Sequence, residues 1–278
     1  MPRGCDMHCT QDEEALRCRF ARDYELGRSP AMREIERRVL GTDYGGTSWT
    51  TRAEAARIAQ LLGLCPGVRL LEVGAGSGWP SLYLAKHTGC DAVLVDLPLV
   101  GLQIAIERAR AEDVQQRCRV IVANGAKLPF MEGSFDALSH SDVLCCLPAK
   151  LSVLRECRRV AGHGARMAFS VIAPAPSISE AGRRIAVESG PPHVDVPADY
   201  ALLLGETSWR LLERIDVTGE FMQSLRTELE VIEAGKDALI ELFGGDEYDM
   251  RKQRRYGTIT AVADGLLKRE IFVANVAG

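Results

Sequence analysis

The chain has 278 residues, 46% of them hydrophobic and 26% charged, with a formal net charge of −4. That balance excludes a disordered chain, and the lack of a basic tail or stripe argues against nucleic acid as the main partner. MPRGCDMHCTQDEE at the N-terminus has no apolar core, and no run approaches membrane-spanning length, so the expectation is a cytoplasmic protein with no membrane partner. The nine cysteines are scattered and odd in number, which reads as reduced thiols. Cys5, His8 and Cys9 cluster without a second ligand pair, so no metal site is expected.

Residues 11 to 40 are charged and helical in pattern, followed by the glycine-rich, aromatic loop GTDYGGTSWTT at 41–51 and a helix over 52–63. Pro66-Gly67 marks a turn. Strands are predicted at 68–73, 92–96, 119–122, 135–139 and 166–171, with helices at 79–87, 100–112 and 150–160 between them. Short apolar strands alternating with helices indicate parallel βαβ units. After residue 172, APAPSISEAG and SGPPHVDVPAD hold five of the twelve prolines. A strand at 210–217, helical patterns at 220–243 and 246–268 split by Gly244-Gly245, and a last strand at 270–275 complete the chain. The expected fold is α/β: a Rossmann-like, doubly wound, mostly parallel seven-stranded sheet with an N-terminal helical cap and a helical insertion before the last strand. The expected parts are a cap and closing loop (1–51), a ligand-binding core (52–172), and lid segments with the last two strands of the same sheet (173–278).

LLEVGAGSGWPSLYLA, residues 70–85, runs from a strand through Gly74, Gly76 and Gly78 into a helix. Glycines let backbone approach a ligand, and the helix start offers free N–H groups. A dinucleotide would want G-x-G-x-x-G/A. Here the third glycine comes one position early and Trp79 stands where a small residue is needed. An acid, Glu72, followed by G-x-G-x-G suits S-adenosylmethionine instead. Asp96 ends the next strand, where a carboxylate can accept both ribose hydroxyls. A polar turn after the third strand leads to LPF at 128–130 and GSFD at 133–136, and RECRRVAGHGARMAFSV fills 155–171. Over roughly residues 45–172 these features together resemble the class I S-adenosylmethionine-dependent methyltransferases. The nearest subgroup is the small-molecule one that includes ubiquinone/menaquinone-type and sarcosine/dimethylglycine-type enzymes.

The resemblance implies roles residue by residue. Glu72 and the backbone of Gly74, Ala75, Gly76, Ser77 and Gly78 would hold the methionine end of S-adenosylmethionine. Asp96 and Leu97 would hold the ribose and cover the adenine. Asn124 and Gly125 would read the adenine edge; the family usually has Asp-Ala there, and Asn keeps an acceptor oxygen without the charge. His140 and Ser141, after the fourth strand, would line the sulfonium side. Tyr44, Trp49 and Thr50 would close over the methionine carboxylate. Asp142 would face the acceptor, holding an ammonium or taking a proton.

Other readings come from the residues themselves. His193 and Tyr200 sit in the proline-rich segment, where a lid could present a base or orient a hydroxyl. Arg251, Lys252, Arg254 and Arg255 form either a solvated face or a clamp for a substrate carboxylate or phosphate. Met222, Leu225, Leu229, Ile232 and Leu239 give an apolar face for core or homodimer packing. The expected activity is methylation of N or O on a small metabolite by in-line displacement, leaving S-adenosyl-L-homocysteine. C-methylation of a quinone-like or natural-product ring is the alternative. An NAD(P)-dependent oxidoreductase and a non-catalytic S-adenosylmethionine-binding protein are the readings from other classes.

Overall fold

A computed structural model describes residues 11–276; Cys5, His8 and Cys9 lie outside the described residues. The first strand, β1 (Arg69–Val73), shows why the core reads as continuous apolar runs. Leu70 packs among Leu82, Leu94 and Leu102 on one face of the sheet, while Leu71 and Val73 pack among Leu138, Val153 and Leu154 on the other. A parallel strand covered on both sides has no polar face to show. β2 (Asp91–Asp96), β3 (Cys118–Val122), β4 (Phe135–Ser141) and β5 (Ala161–Pro174) follow, joined by α4 (Ser81–Thr88), α5 (Leu99–Ala111) and α6 (Lys150–Val160). The sheet closes with β6 (Trp209–Asp216) and β7 (Leu267–Val276) in the order β3-β2-β1-β4-β5-β7-β6. β1 to β5 run parallel, and β7 enters antiparallel between β5 and β6. This is the seven-stranded α/β sheet expected. Strand order reverses between β1 and β4, so a crevice opens at their carboxyl ends.

The helices outside the sheet depart from expectation in detail. Residues 11–40 form two helices, α1 (Gln11–Gly27) and α2 (Pro30–Leu40), with Ser29 capping the second. α3 (Arg52–Leu62) begins with a capping box, Thr51 and Glu54 each bonding the other's backbone N–H. The span 220–243 is two helices, α9 (Thr218–Ala234) and α10 (Lys236–Phe243), because Gly235 interrupts it. α11 (Gly245–Ala263) stops short of the predicted residue 268, whose place belongs to β7. β5 and β7 are longer than predicted, pairing from Arg166↔Asn275 to Pro174↔Leu267. α7 (Glu180–Ser189) and α8 (Tyr200–Glu206) occupy the proline-rich segment. Ile35 of α2 packs with Ile232, Leu239 and Tyr248, so the N-terminal helices and the late insertion share a small core of their own. Leu225 belongs to the main core rather than to an outer face. Among the described residues no helix is long and apolar enough to cross a membrane.

Candidate active site

The glycine loop is pinned at the carboxyl edge of the sheet, where Gly74 and Ala75 both donate N–H bonds to Val95 O, at 2.8 and 3.0 Å. Gly74 and Gly76 have φ of 72° and 51°, the left-handed region that L side chains avoid. A Cβ on Gly74 would stand 2.5 Å from Val143, and one on Gly76 would stand 2.6 Å from the Tyr24 hydroxyl. Asp96 closes the loop from β2. Its Oδ2 accepts from Gly76 N at 2.7 Å and its Oδ1 from Leu97 N at 2.7 Å. A third donor, the Tyr24 hydroxyl of α1, stands 3.4 Å from Oδ2. Burial raises the Asp96 carboxyl to about 6, although both backbone N–H bonds pull it down.

The remaining predicted cofactor residues divide into those at this edge and those placed elsewhere. Ser77 and Ser141 have buried hydroxyls with no partner among the described residues. Ala123 N–H bonds Asp96 O at 3.1 Å, which brings the 124–125 turn alongside. Asn124 Oδ1 accepts from Ala126 N at 2.8 Å, bracing its own turn, and a Cβ on Gly125 would stand 2.7 Å from Val73. Glu72 is the penultimate residue of β1, just before the loop. It is fully buried, one oxygen accepts from the Ser139 hydroxyl, the other has no partner among the described residues, and burial raises its carboxyl to about 7. Tyr44 packs in the core at 5.2 Å from the Trp79 ring with the Arg108 guanidinium over it. Thr50 is fully buried, and its carbonyl takes the Trp79 indole N–H at 2.7 Å. His140 and Ser141 are the last residues of β4, not beyond it. The His140 ring stacks on Phe169 at 4.5 Å with both nitrogens unpartnered among the described residues, and burial lowers it to about 3, so it is neutral.

On the other side of the post-β4 turn lies a cavity of about 510 Å³. Its wall includes the Gly45–Trp49 loop, Asp142, Cys145 and Cys146 of the turn, residues Ser189–Pro192, and arginines of α1 and α11. Glu36 holds the loop by accepting from Gly45 N at 2.5 Å and Gly46 N at 3.3 Å. The Trp49 ring meets Phe221 edge-on at 5.2 Å and lies under the Arg255 guanidinium at 4.5 Å.

Asp142, in left-handed backbone at φ 56°, belongs to an ion-pair triad that sequence inspection does not suggest. Arg269 of β7 donates Nε to Asp142 Oδ1 at 2.9 Å and Nη2 to Oδ2 at 3.2 Å, and its Nη1 reaches Glu54 at 2.5 Å. Trp49 N–H also bonds Asp142 Oδ2, at 2.8 Å. That carboxylate positions a loop; its lone pairs already serve an arginine fork and a backbone donor. His193 ties its segment down through backbone, N–H to Cys145 O at 3.0 Å and C=O to Lys150 Nζ at 2.6 Å. Tyr200 starts α8 with its ring against the stacked pair Phe169 and Phe272 and its hydroxyl buried without a partner among the described residues. The three predicted catalytic groups are therefore not gathered on one wall: of them, Asp142 lines the cavity. Tyr24, Glu36, Glu54 and Arg269 were missed. Thr51-x-x-Glu54 was a readable capping signature, and an arginine inside an apolar final strand was the only local hint of the triad.

Residues 71–169 match the family described as a methyltransferase domain. The matched segment runs from β1 into β5. It is 34% identical over 114 residues to 24-methylenesterol C-methyltransferase 2 of Oryza sativa subsp. japonica, covering 41% of this chain and 31% of that protein. It is 25% identical over 215 residues to phosphoethanolamine N-methyltransferase 3 of Arabidopsis thaliana, covering 76% of this chain and 42% of that one. The chain thus spans less than half the length of either relative. A Haemonchus contortus phosphoethanolamine N-methyltransferase structure superposes with a TM-score of 0.74 at 19% identity, over 93% of this chain and 60% of that one, which shows the fold. S-adenosylmethionine, the cofactor that the resemblance implies, fits this chain's residues. Asp96 already takes one hydroxyl donor, Ser77 and Ser141 offer orphan hydroxyls, and side chains are excluded from the glycine cradle.

Proposed function

We propose that the chain transfers a methyl group from S-adenosylmethionine to N or O of a small-molecule metabolite by in-line displacement. The reading is carried by one shared wall. The glycine loop and the acceptor cavity lie back to back across the 142–146 turn, with Val143 against Gly74 and Asp142 facing the cavity. S-adenosylmethionine, when bound, supplies a methyl group already activated by its sulfonium charge. The chain need only hold donor and acceptor in line at ~3–3.5 Å and exclude water.

In this reading Asp96 and Leu97 hold the ribose, Gly74 to Gly78 hold the methionine end, and the 124–125 turn bounds the adenine. Ser141 lies toward the reacting side. Trp49 and the Glu36-held loop close the cavity. Asp142 acts through Trp49 and Arg269 as a positioning residue. C-methylation is the second reading, supported by the sterol C-methyltransferase relative; cytoplasmic location and a homodimer belong to the same proposal.

The test is calorimetric titration of wild type and Asp96→Ala with S-adenosylmethionine and S-adenosylhomocysteine. Hydrogen bonds to a charged group contribute about 1.5–3 kcal/mol each, so the variant should bind at least ~10-fold more weakly. Equal affinity in both proteins would sink the assignment of this crevice to the cofactor.

A further inference from the structure

The cavity wall carries several arginines, and most have an acidic partner. Arg22 and Arg251 meet Glu247 at 3.0 and 2.9 Å, and Arg251 also reaches Asp23. Arg255 pairs with Glu228, and Arg19 lies 3.8 Å from Asp23. The acids on the wall are occupied as well: Asp142 serves Arg269, and Glu36 serves the Gly45 and Gly46 N–H groups. Arg254 differs. Among the described residues no carboxylate comes within ion-pair distance of it, and its recorded bond is a long one, 3.4 Å, to Gly190 O. The residue as a whole is partly open to solvent on the cavity wall; desolvation first, then the like charges of Arg19 and Arg255, work against its charge, with the more distant Cys146 and Asp23 favouring it. A guanidinium does not escape such a place by losing its proton.

We propose that Arg254, with Arg19 lining the same cavity, is the seat for an oxyanion, a phosphate or carboxylate group, on the methyl acceptor. This assigns a substrate class to the cavity and rests on the methyltransferase reading for the word acceptor; the anion seat itself stands on the unpaired charge. A planar fork of N–H donors on a cavity wall matches an oxyanion bidentately. The Cys146 thiol on the same wall reports the same field. The Cys145 hydrogen bond lowers it first, and Arg19 and Arg254 lower it further.

The experiment is thermal melting of the full chain with saturating S-adenosylhomocysteine, adding sodium phosphate or sodium acetate against sodium chloride at equal ionic strength. Wild type should melt higher in phosphate, acetate or both, and which of them acts identifies the head group. The response should fall to the chloride baseline in Arg254→Gln and shrink in Arg19→Gln. Arg254→Lys, which keeps the charge and loses the fork, should retain a reduced response and serves if the Gln variant does not fold. No specific anion response in wild type, or an unchanged one in the variants, overturns the proposal. Stabilisation by S-adenosylhomocysteine is read in the same series, so a failed cofactor assignment shows itself separately from a failed anion seat.

Discussion

The Tyr24 hydroxyl stands 3.4 Å from Asp96 Oδ2, on the carboxylate that the two backbone N–H groups of Gly76 and Leu97 already hold. The Tyr24 ring lies against Gly76 and Gly101 and is buried. A protein O–H thus donates where a ribose O–H is expected to donate. Burial, then the nearby Asp96 charge, push the phenol well above its usual range, so it stays a donor at all working pH.

From this follows a competition. Tyr24→Phe removes the hydroxyl and leaves the ring. The lost bond is long, so apo stability should fall by only about 1 kcal/mol, read by urea denaturation. Affinity for S-adenosylhomocysteine should rise up to ~5-fold, the inverse of about 1 kcal/mol of competition. Weaker binding in Tyr24→Phe would mean that the hydroxyl contacts the cofactor rather than standing in for it.

Glu72 makes apo stability depend on pH with a definite sign. Burial raises its carboxyl from 4.5 to about 7. A raised carboxyl pKa means the folded state prefers the protonated form, so this contribution is complete below about pH 4.5 and lost as pH rises to about 7. The shift corresponds to about 3 kcal/mol at most. Glu72→Gln keeps an acceptor for the Ser139 hydroxyl and cannot ionise. It should therefore melt higher than wild type at pH 8 and equal to it near pH 4.5. Parallel melting curves at every pH would show that Glu72 is not neutralised by burial.

His140 has the opposite sign. Burial lowers its imidazole from 6.5 to about 3, so the fold keeps it neutral. Its contribution is complete above about pH 6.5 and is lost as pH falls toward 3. His140→Phe preserves a ring against Phe169 and removes two unpartnered nitrogens. Relief of unsatisfied polar groups should add about 1–3 kcal/mol, more at pH 5 than at pH 8. Methyl transfer should persist in this variant; its complete loss with the fold intact would return His140 to the reaction.

Arg269 should be the costliest side chain to remove. It is 1% exposed and bridges Asp142 and Glu54. Arg269→Met leaves two buried carboxylates without their cation, and breaking such a pair costs about 3–5 kcal/mol. The double variant Arg269→Met with Asp142→Leu should recover part of that loss, read as midpoints in urea. Additive losses in the double variant would mean that the two side chains are not coupled.

The order of elements from β1 to β5 was readable because each is decided by neighbours in sequence: apolar strand runs, helical periods and turn residues act over a few positions. The glycine loop, with Glu72 before it and Asp96 after the next strand, was readable for the same reason. Reach across the chain was not. Arg269 meets Asp142 over 127 residues and Glu54 over 215, and nothing near any of the three announces the others. The 142–146 turn, Trp49 and Arg254 line one cavity because β7 enters between β5 and β6 and the late helices pack on α2. Tyr200 looked reactive as a residue type and the resemblance implied His140 on the sulfonium side, yet both rings are packed against core aromatics, where burial decides their chemistry. Local pattern alone determined the elements from β1 to β5 and the glycine loop among them. Long-range packing decided which charges meet, which are left unpaired, and therefore where an acceptor can sit, since Coulomb and desolvation energies depend on distance in space and not on separation along the chain.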